Sequence, residues 1–165
     1  MKLTGERGVA SLLVSLVFVA GFVALGMAQG DPLIGTWKLN LAKSTYTPGP
    51  RPGSETVTYQ AAGQGLQGFK YTVTQTDAAG KPTLLEGSLI YDGKDYPAKG
   101  TPDYDTVATR RIDANTGETD RKKSGKVVQT VVRVLSKDGK TLTLTTKGVN
   151  AKGEAIGSVA VYERQ

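Results

Sequence analysis

Short segments in which apolar and polar residues alternate follow one another along most of this chain, and turn residues separate them. Asp92-Gly93, Ser124-Gly125 and Asp138-Gly139 are two-residue signals for the tight turns that join antiparallel strands. Outside the N-terminal segment no sustained 3.6-residue apolar period occurs, so we expect almost no helix there. The predicted strands are residues 33–39, 54–61, 67–76, 83–91, 105–113, 117–123, 126–136, 140–148 and 155–163.

Consecutive hairpins place each strand beside the one before it, which predicts an all-β protein. We expect an antiparallel up-and-down β-barrel of about 8–10 strands, because closing a sheet removes its unpaired edges. A two-sheet sandwich is the alternative. Segment 126–136 is apolar on both faces, which predicts that it is covered on both sides or that it faces another chain. A homo-oligomer is therefore one expectation for this protein.

Residues 1–28 have the features of a signal peptide. Basic residues precede an apolar stretch, Val9–Leu25, and small residues lead up to Ala28, so we expect cleavage after Ala28. The alternative is an uncleaved membrane anchor, for which the stretch is long enough. After cleavage, residues 29–165 suit a single β-barrel domain in the periplasm or outside the cell, with no stable membrane insertion.

The chain contains no histidine and no cysteine. The missing histidine excludes the usual general base and the usual ligand of zinc and haem. The missing cysteine excludes disulfides, thiol nucleophiles and lipid attachment at a leader cysteine. We therefore expect a protein that is not an enzyme, with no catalytic residues, no cofactor and no metal.

The first predicted strand contains Gly35-Thr36-Trp37, and the last contains Val161-Tyr162-Glu163. The first motif resembles the opening strand of the calycin superfamily, the lipocalin-like barrels, and the second is similar to the closing strand of the intracellular fatty-acid-binding proteins. The resemblance implies that Trp37 has a structural role at the closed end of a barrel, beneath a cationic side chain. Arg164 and Arg133 are the two candidates for that cation.

Two departures separate this chain from the fatty-acid-binding proteins. Those proteins carry an arginine two residues before the tyrosine of the last strand, where this chain has Ala160. They also have a helical lid after the first strand, whereas residues 40–53 here contain Pro48, Pro50 and Pro52 and do not suit a helix pair. The resemblance therefore implies the superfamily and no particular member family.

Two functions are compatible with such a barrel. The resemblance implies an exported binding module that holds a small apolar or amphipathic ligand, which is anionic if an arginine anchors it. The alternative is a non-enzymatic structural or interaction protein whose barrel is filled by side chains. The first hypothesis predicts an interior lined by Tyr59, Phe69, Tyr71, Leu89 and Val132, with Arg110 or Arg133 as its polar anchor.

Residues 91–105 combine three tyrosines with four aspartates, and we expect them to form one long connection. One interpretation is a ligand lid, with Tyr96 and Tyr104 as its walls. A second is an ordinary polar loop around the turn at Asp92-Gly93. A third is a calcium site formed by Asp92, Asp95, Asp103 and Asp105, although their spacing matches no known calcium loop.

The predicted hairpin 105–123 is rich in cations. A short turn at Asn115-Thr116 sets Arg110 opposite Arg121 or Lys122, which is unfavourable for like charges. Pointing inward, these cations would hold a carboxylate, and pointing outward they would form a solvated basic face. Nucleic acid is not an expected partner, because no aromatic residues are interleaved with the cations and the chain is predicted to be exported.

Overall fold

Short antiparallel strands joined by tight turns make up nearly all of the computed structural model of this chain. It describes residues 31–48, 51–77 and 79–165, so the predicted leader, residues 1–28, lies outside the described residues. A 3-10 helix, Leu41–Lys43, follows the first strand. The strands in the described residues are β1 (Gly35–Leu39), β2 (Thr45–Thr47), β3 (Ser54–Ala61), β4 (Gly68–Thr76), β5 (Pro82–Ile90), β6 (Asp95–Lys99), β7 (Thr106–Arg111), β8 (Thr116–Lys123), β9 (Lys126–Leu135), β10 (Thr141–Val149) and β11 (Ala155–Arg164).

Ten of the strands in the described part of the chain form a closed barrel, in the order β1, β3 and then β4 to β11. Every neighbouring pair is antiparallel, and β11 pairs back onto β1, with Trp37 opposite Arg164. The short β2 pairs with the part of β11 that lies beyond the reach of β1. The prediction of an all-β up-and-down barrel is therefore confirmed. Over the residues described, the structure has no helix with the length and apolar character needed to span a bilayer.

The two ends of the barrel differ. The end where β1 begins and β11 finishes also carries the β3–β4, β5–β6, β7–β8 and β9–β10 turns, and we call it the closed end. The opposite end carries the β4–β5, β6–β7, β8–β9 and β10–β11 turns, and we call it the open end. Inward-pointing side chains alternate with outward-pointing ones along each strand, so the same strands supply interior side chains to both ends of the barrel.

Trp37 plugs the closed end. Its side chain is 0% exposed, and its indole Nε1 donates a hydrogen bond to the Leu33 carbonyl at 2.9 Å. The Arg164 guanidinium lies 4.3 Å from the centre of the indole ring. It also donates to the carbonyls of Ile34 and Gly139, at 3.0 and 2.8 Å. Arg164, and not Arg133, is therefore the cation that packs on Trp37.

The glycine of the Gly-Thr-Trp motif makes room for this arginine. Gly35 has a φ of +140°, a backbone conformation that side-chain-bearing residues rarely adopt. A Cβ atom at Gly35 would lie 2.8 Å from Arg164 Nη1. Both the conformation and the close approach therefore require glycine at this position.

The expectation of one long connection over residues 91–105 is wrong. Strand β6 lies within it and pairs with β5, where Gly87 faces Ala98, and with β7, where Tyr96 faces Val107. Only the Gly100–Asp105 segment remains as a loop at the open end. Pro97 and the charged residues of β6 concealed this strand from the alternation pattern.

The calcium interpretation is also wrong. Asp95 forms an ion pair with Lys122, and Asp105 accepts a hydrogen bond from the Ser124 backbone N–H. Asp103 accepts from the Ala151 backbone N–H at 2.9 Å, which ties the β6–β7 loop to the β10–β11 turn. No three acidic side chains gather as a metal site requires, within the part of the chain that the structure describes.

Both registers predicted for the cationic hairpin are wrong. The β7–β8 turn is centred nearer to Ala114, so that Arg110 lies opposite Glu118. Arg110 is exposed and forms ion pairs with Glu118 and with Asp120, the latter at 3.5 Å. These outward-facing charges alternate in sign across the two strands, which removes the like-charge repulsion that the predicted registers implied.

Candidate ligand cavity

A cavity of about 410 Å³ occupies the barrel above the Trp37 plug. A second space of about 370 Å³ adjoins it toward the open end and shares with it seven residues, which include Tyr46, Glu55, Asp103 and Arg121. The β6–β7 loop, Gly100–Asp105, contributes to the wall of the first cavity through its first five residues. The wall is mostly apolar and aromatic, with aliphatic side chains from Val57, Val73, Leu85, Leu89, Val107, Val131 and Leu144 and tyrosine rings from Tyr59, Tyr71, Tyr104 and Tyr162.

Arg133 is a buried cation in this wall. Its side chain is 2% exposed, and Nη2 donates to Thr119 Oγ1 at 3.1 Å. Its Nε has no hydrogen-bond partner, and no carboxylate lies within 4.0 Å of the guanidinium among the described residues. The Cζ atom of Arg133 lies 5.4 Å from the centre of the Phe69 ring. A buried charge without a counter-ion is costly, so this guanidinium favours an anion in the cavity.

Glu55 is one of two acidic residues that line the cavity, and it lies on β3 near the open end, while Asp103 lies in the β6–β7 loop. Its Oε1 accepts a hydrogen bond from the Tyr162 hydroxyl. Burial raises the pKa of the Glu55 carboxyl, while the Tyr162 hydrogen bond and the positive charge of Arg121 oppose that rise. Glu55 is therefore a hydrogen-bond acceptor, and its charge state depends on the donors and charges near its carboxyl group.

Arg121 lies across the barrel from Glu55, on β8. Its Nη1 donates to Gln129 Oε1 at 3.0 Å, and its central carbon lies 4.7 Å from the centre of the Tyr104 ring. Two hydroxyl groups in the same wall, those of Tyr46 and Thr83, are buried without a hydrogen-bond partner in the described residues. Buried polar groups nearly always have partners, so these groups indicate capacity for a polar ligand.

The structure brings together five of the residues predicted to bind ligand. Tyr59, Tyr71, Leu89, Tyr104 and Arg133 all line the cavity. Tyr104 is 4% exposed and packs under Arg121 as part of the wall, so it is not a residue of a mobile lid.

The other four predicted residues lie elsewhere. Phe69 is fully buried below the cavity, with its ring 4.6 Å from that of Tyr59. Tyr96 is on β6 and donates to Asp92, and Arg110 faces outward in its ion pairs. The predicted interior position of Val132 is wrong, because the alternation of β9 turns its neighbours inward and Val132 outward.

Sequence reasoning missed Glu55, Arg121, Tyr46 and Tyr162 as cavity residues. The period of two that joins Val57 and Tyr59 places Glu55 on the same face, and this was the available signal. A charged residue at the start of a strand is ordinarily solvated, which hides it as an interior residue. The inward position of Arg121 depends on the register of the β7–β8 hairpin, which the sequence did not determine.

The chain is similar to the crystal structure of Rv2717c from M. tuberculosis, with 18% sequence identity and a TM-score of 0.49. The match covers 82% of this chain and 94% of that chain. No family model matches the sequence, and no curated protein matches it.

Proposed function

We propose that this protein is an exported binding module that holds a small amphipathic anion inside its barrel. The observation that carries the proposal is the cavity of about 410 Å³, with its apolar wall and its unpaired Arg133. Ligand cavities in proteins typically have volumes of about 300–1,000 Å³ and combine apolar walls with a few polar groups. The apolar wall would take the body of the ligand, and Arg133 would take its anionic group.

An anion would complete the surroundings of Arg133. Thr119 satisfies only part of the guanidinium, and the Nε donor remains unused. A planar guanidinium binds a carboxylate with two parallel hydrogen bonds, which suits a ligand with such a head group. Arg110, the other anchor considered from the sequence, is already neutralised on the outer surface.

We also propose membership of the calycin superfamily. The support is the pair formed by Trp37 and Arg164 at the closed end, which matches the plug implied by the Gly-Thr-Trp motif. A barrel of about this size holds a ligand in some proteins and is filled by side chains in others, so the fold by itself carries no function.

The alternative function is a structural or interaction protein with a filled barrel. The volume of the cavity speaks against a filled interior. Val134, on the outer face of β9, is 42% exposed, and such a face is where a second copy would pack. We rank this function second because it leaves the cavity and the Nε donor of Arg133 without a role. No enzymatic activity is proposed, since the cavity contains no histidine or cysteine.

Native mass spectrometry of the purified protein tests the binding function. We expect a retained small-molecule mass or saturable binding of a fluorescent fatty-acid analogue, with displacement by a medium-chain carboxylate. Arg110→Met is the control, because it removes an arginine from the outer surface. A protein that retains no mass and binds no probe contradicts the proposed function.

Export is a separate part of the proposal. We expect the mature protein to lack residues 1–28 and to occur in the periplasm or the medium. Intact-mass measurement of the protein from fractionated cells tests this. A full-length mass in the cytoplasmic fraction would contradict export and would leave the binding function open to its own test.

A further inference from the structure

Glu55 and Arg121 lie on opposite walls at the open end of the cavity, where Asp103 also lines the wall and accepts a hydrogen bond from the Ala151 backbone N–H. Glu55 is on β3 and Arg121 is on β8, and these strands are half a turn apart in the ring of ten. Both residues line the cavity and the space that adjoins it. Within the described residues neither side chain forms an ion pair. A gap therefore separates a strong acceptor from a strong donor.

Both groups have unused hydrogen-bonding capacity. Glu55 Oε1 accepts from Tyr162, and Oε2 accepts no hydrogen bond from any described residue. Arg121 donates to Gln129 alone among the side chains that the structure describes. The buried Tyr46 hydroxyl, which lines both spaces, has no partner there either. A ligand group between these walls would meet acceptors on one side and donors on the other.

The charges on the two walls select against a charged group at this place. A second anion would meet the carboxylates of Glu55 and Asp103, and an ammonium group would meet Arg121, so each would face a like charge. A neutral group that both donates and accepts, such as a hydroxyl or a primary amide, would satisfy both walls.

The separation between Arg121 and Arg133 along the barrel indicates how long the ligand is. Arg121 lies opposite Gln129 on β9, and Gln129 precedes Arg133 by four residues, which is about 13 Å of strand. Between the two levels Val131 lies beside Thr119 and Thr146, and across the barrel the apolar row Val57, Val73 and Leu85 follows Glu55. The cavity therefore has a charged polar site at each end and a middle whose β3–β5 wall is apolar.

We infer that the ligand is polar at both ends. Its anionic group lies against Arg133, its apolar chain fills the middle, and a neutral hydroxyl or primary amide lies between Glu55 and Arg121. This inference rests on the proposed binding function and adds a second recognition site to it.

Isothermal titration of the purified protein with three acids tests the inference. The acids are undecanoate, 10-hydroxydecanoate and decanedioate, of which the first two have equal numbers of heavy atoms. We expect the hydroxy acid to bind at least about tenfold more tightly than undecanoate, because the hydroxyl fills hydrogen bonds that a methyl group leaves unmade. We expect the diacid to bind no more tightly than undecanoate.

Two variants assign the effect to Glu55. Glu55→Leu removes the acceptor and should reduce the preference for the hydroxy acid to less than about threefold. Glu55→Gln keeps a hydrogen-bonding group without the charge, so it should increase diacid affinity by at least about tenfold. Glu86→Gln, an exposed carboxylate on β5, is the matched control and should change neither ratio.

The outcomes separate this inference from the proposed function. Equal binding of undecanoate and the hydroxy acid would overturn the second site while leaving the binding module intact. The same conclusion would follow if the diacid bound most tightly to the unmodified protein, or if Glu55→Leu kept the full preference. If Glu55→Leu does not fold, the diacid result with Glu55→Gln decides. Failure of all three acids to bind would contradict the proposed function itself.

Discussion

The closed and open ends of this barrel use the same kinds of residues in different ways. At the closed end, Trp37 is fully buried, its Nε1 has an acceptor, and the Arg164 guanidinium donates to three backbone carbonyls. At the open end, Arg121 and Glu55 face the cavity with capacity to spare, and the Tyr46 hydroxyl has no partner among the described residues. The comparison teaches that satisfied polar groups mark the part that holds the fold. Unsatisfied groups mark the part that is open to a ligand.

Truncation of Trp37 should have the largest effect on stability. Trp37→Ala removes a fully buried ring, and we expect it to lower the free energy of unfolding by about 3–5 kcal/mol in a urea titration. Leu85→Ala, in the cavity wall, should cost less, because that side chain already borders empty space. Equal losses at the two positions would remove the distinction between the ends.

A methyl group at Gly35 should disturb the closed end alone. Gly35→Ala places a Cβ against Arg164 and strains the backbone, and we expect a loss of about 1–3 kcal/mol in the same titration. Gly157→Ala is the control, because its Cβ would meet no atom within 4 Å. The ratio of ligand affinities should stay unchanged in both proteins, and a change confined to Gly35→Ala would contradict a purely structural closed end.

Replacing Arg133 should affect binding more than stability. Arg133→Met fills the same space without a charge, so the unliganded protein should be as stable as the parent or more stable. Affinity for an anionic ligand should fall at least about tenfold, which corresponds to about 1.4 kcal/mol. Calorimetry with the acids described above measures the second effect, and urea unfolding measures the first. A marked loss of stability with unchanged affinity would make Arg133 a structural residue.

The smallest expected effect is a pH dependence at the open end. The pKa of Glu55 is raised by burial in the folded protein, so the folded state binds its proton more tightly than the unfolded state. Its contribution to stability is therefore full below the ordinary carboxyl pKa and is lost as the pH rises through the raised value. Urea unfolding at a series of pH values should show this decline in the parent and a flatter profile in Glu55→Gln. Profiles of equal slope would show that Glu55 titrates normally.

The sequence predicted most of the barrel because most of its strands are long and alternate clearly. Strand β6 was not predicted, because Asp95–Lys99 has five residues, a proline in the middle and few pairs with its neighbours. Strand β2 has three residues and no alternation to detect. Short strands of this kind are stabilised by the neighbours they pair with, which a local pattern does not contain.

The cavity was only partly predictable for a related reason. Tyr59 and Tyr71 follow from alternation along single strands, whereas Arg121 depends on the register of one strand against another. Val132 was assigned to the wrong face of β9, which is apolar on both sides and therefore carries no signal for direction. Reading the register from the sequence would require knowing that Arg111 lies opposite Gly117, with five residues between them.

Both ends of the described chain meet beneath the Trp37 plug. Asp31 forms an ion pair with Arg111, and the backbone N–H of Gln165 donates to the Thr36 carbonyl at 2.9 Å. A fusion partner, an affinity tag or a surface linker joined at either position would emerge on the side away from the cavity entrance. The barrel could therefore be immobilised by either terminus with its entrance facing solution, which makes surface-based capture of its ligand from an extract a practical measurement.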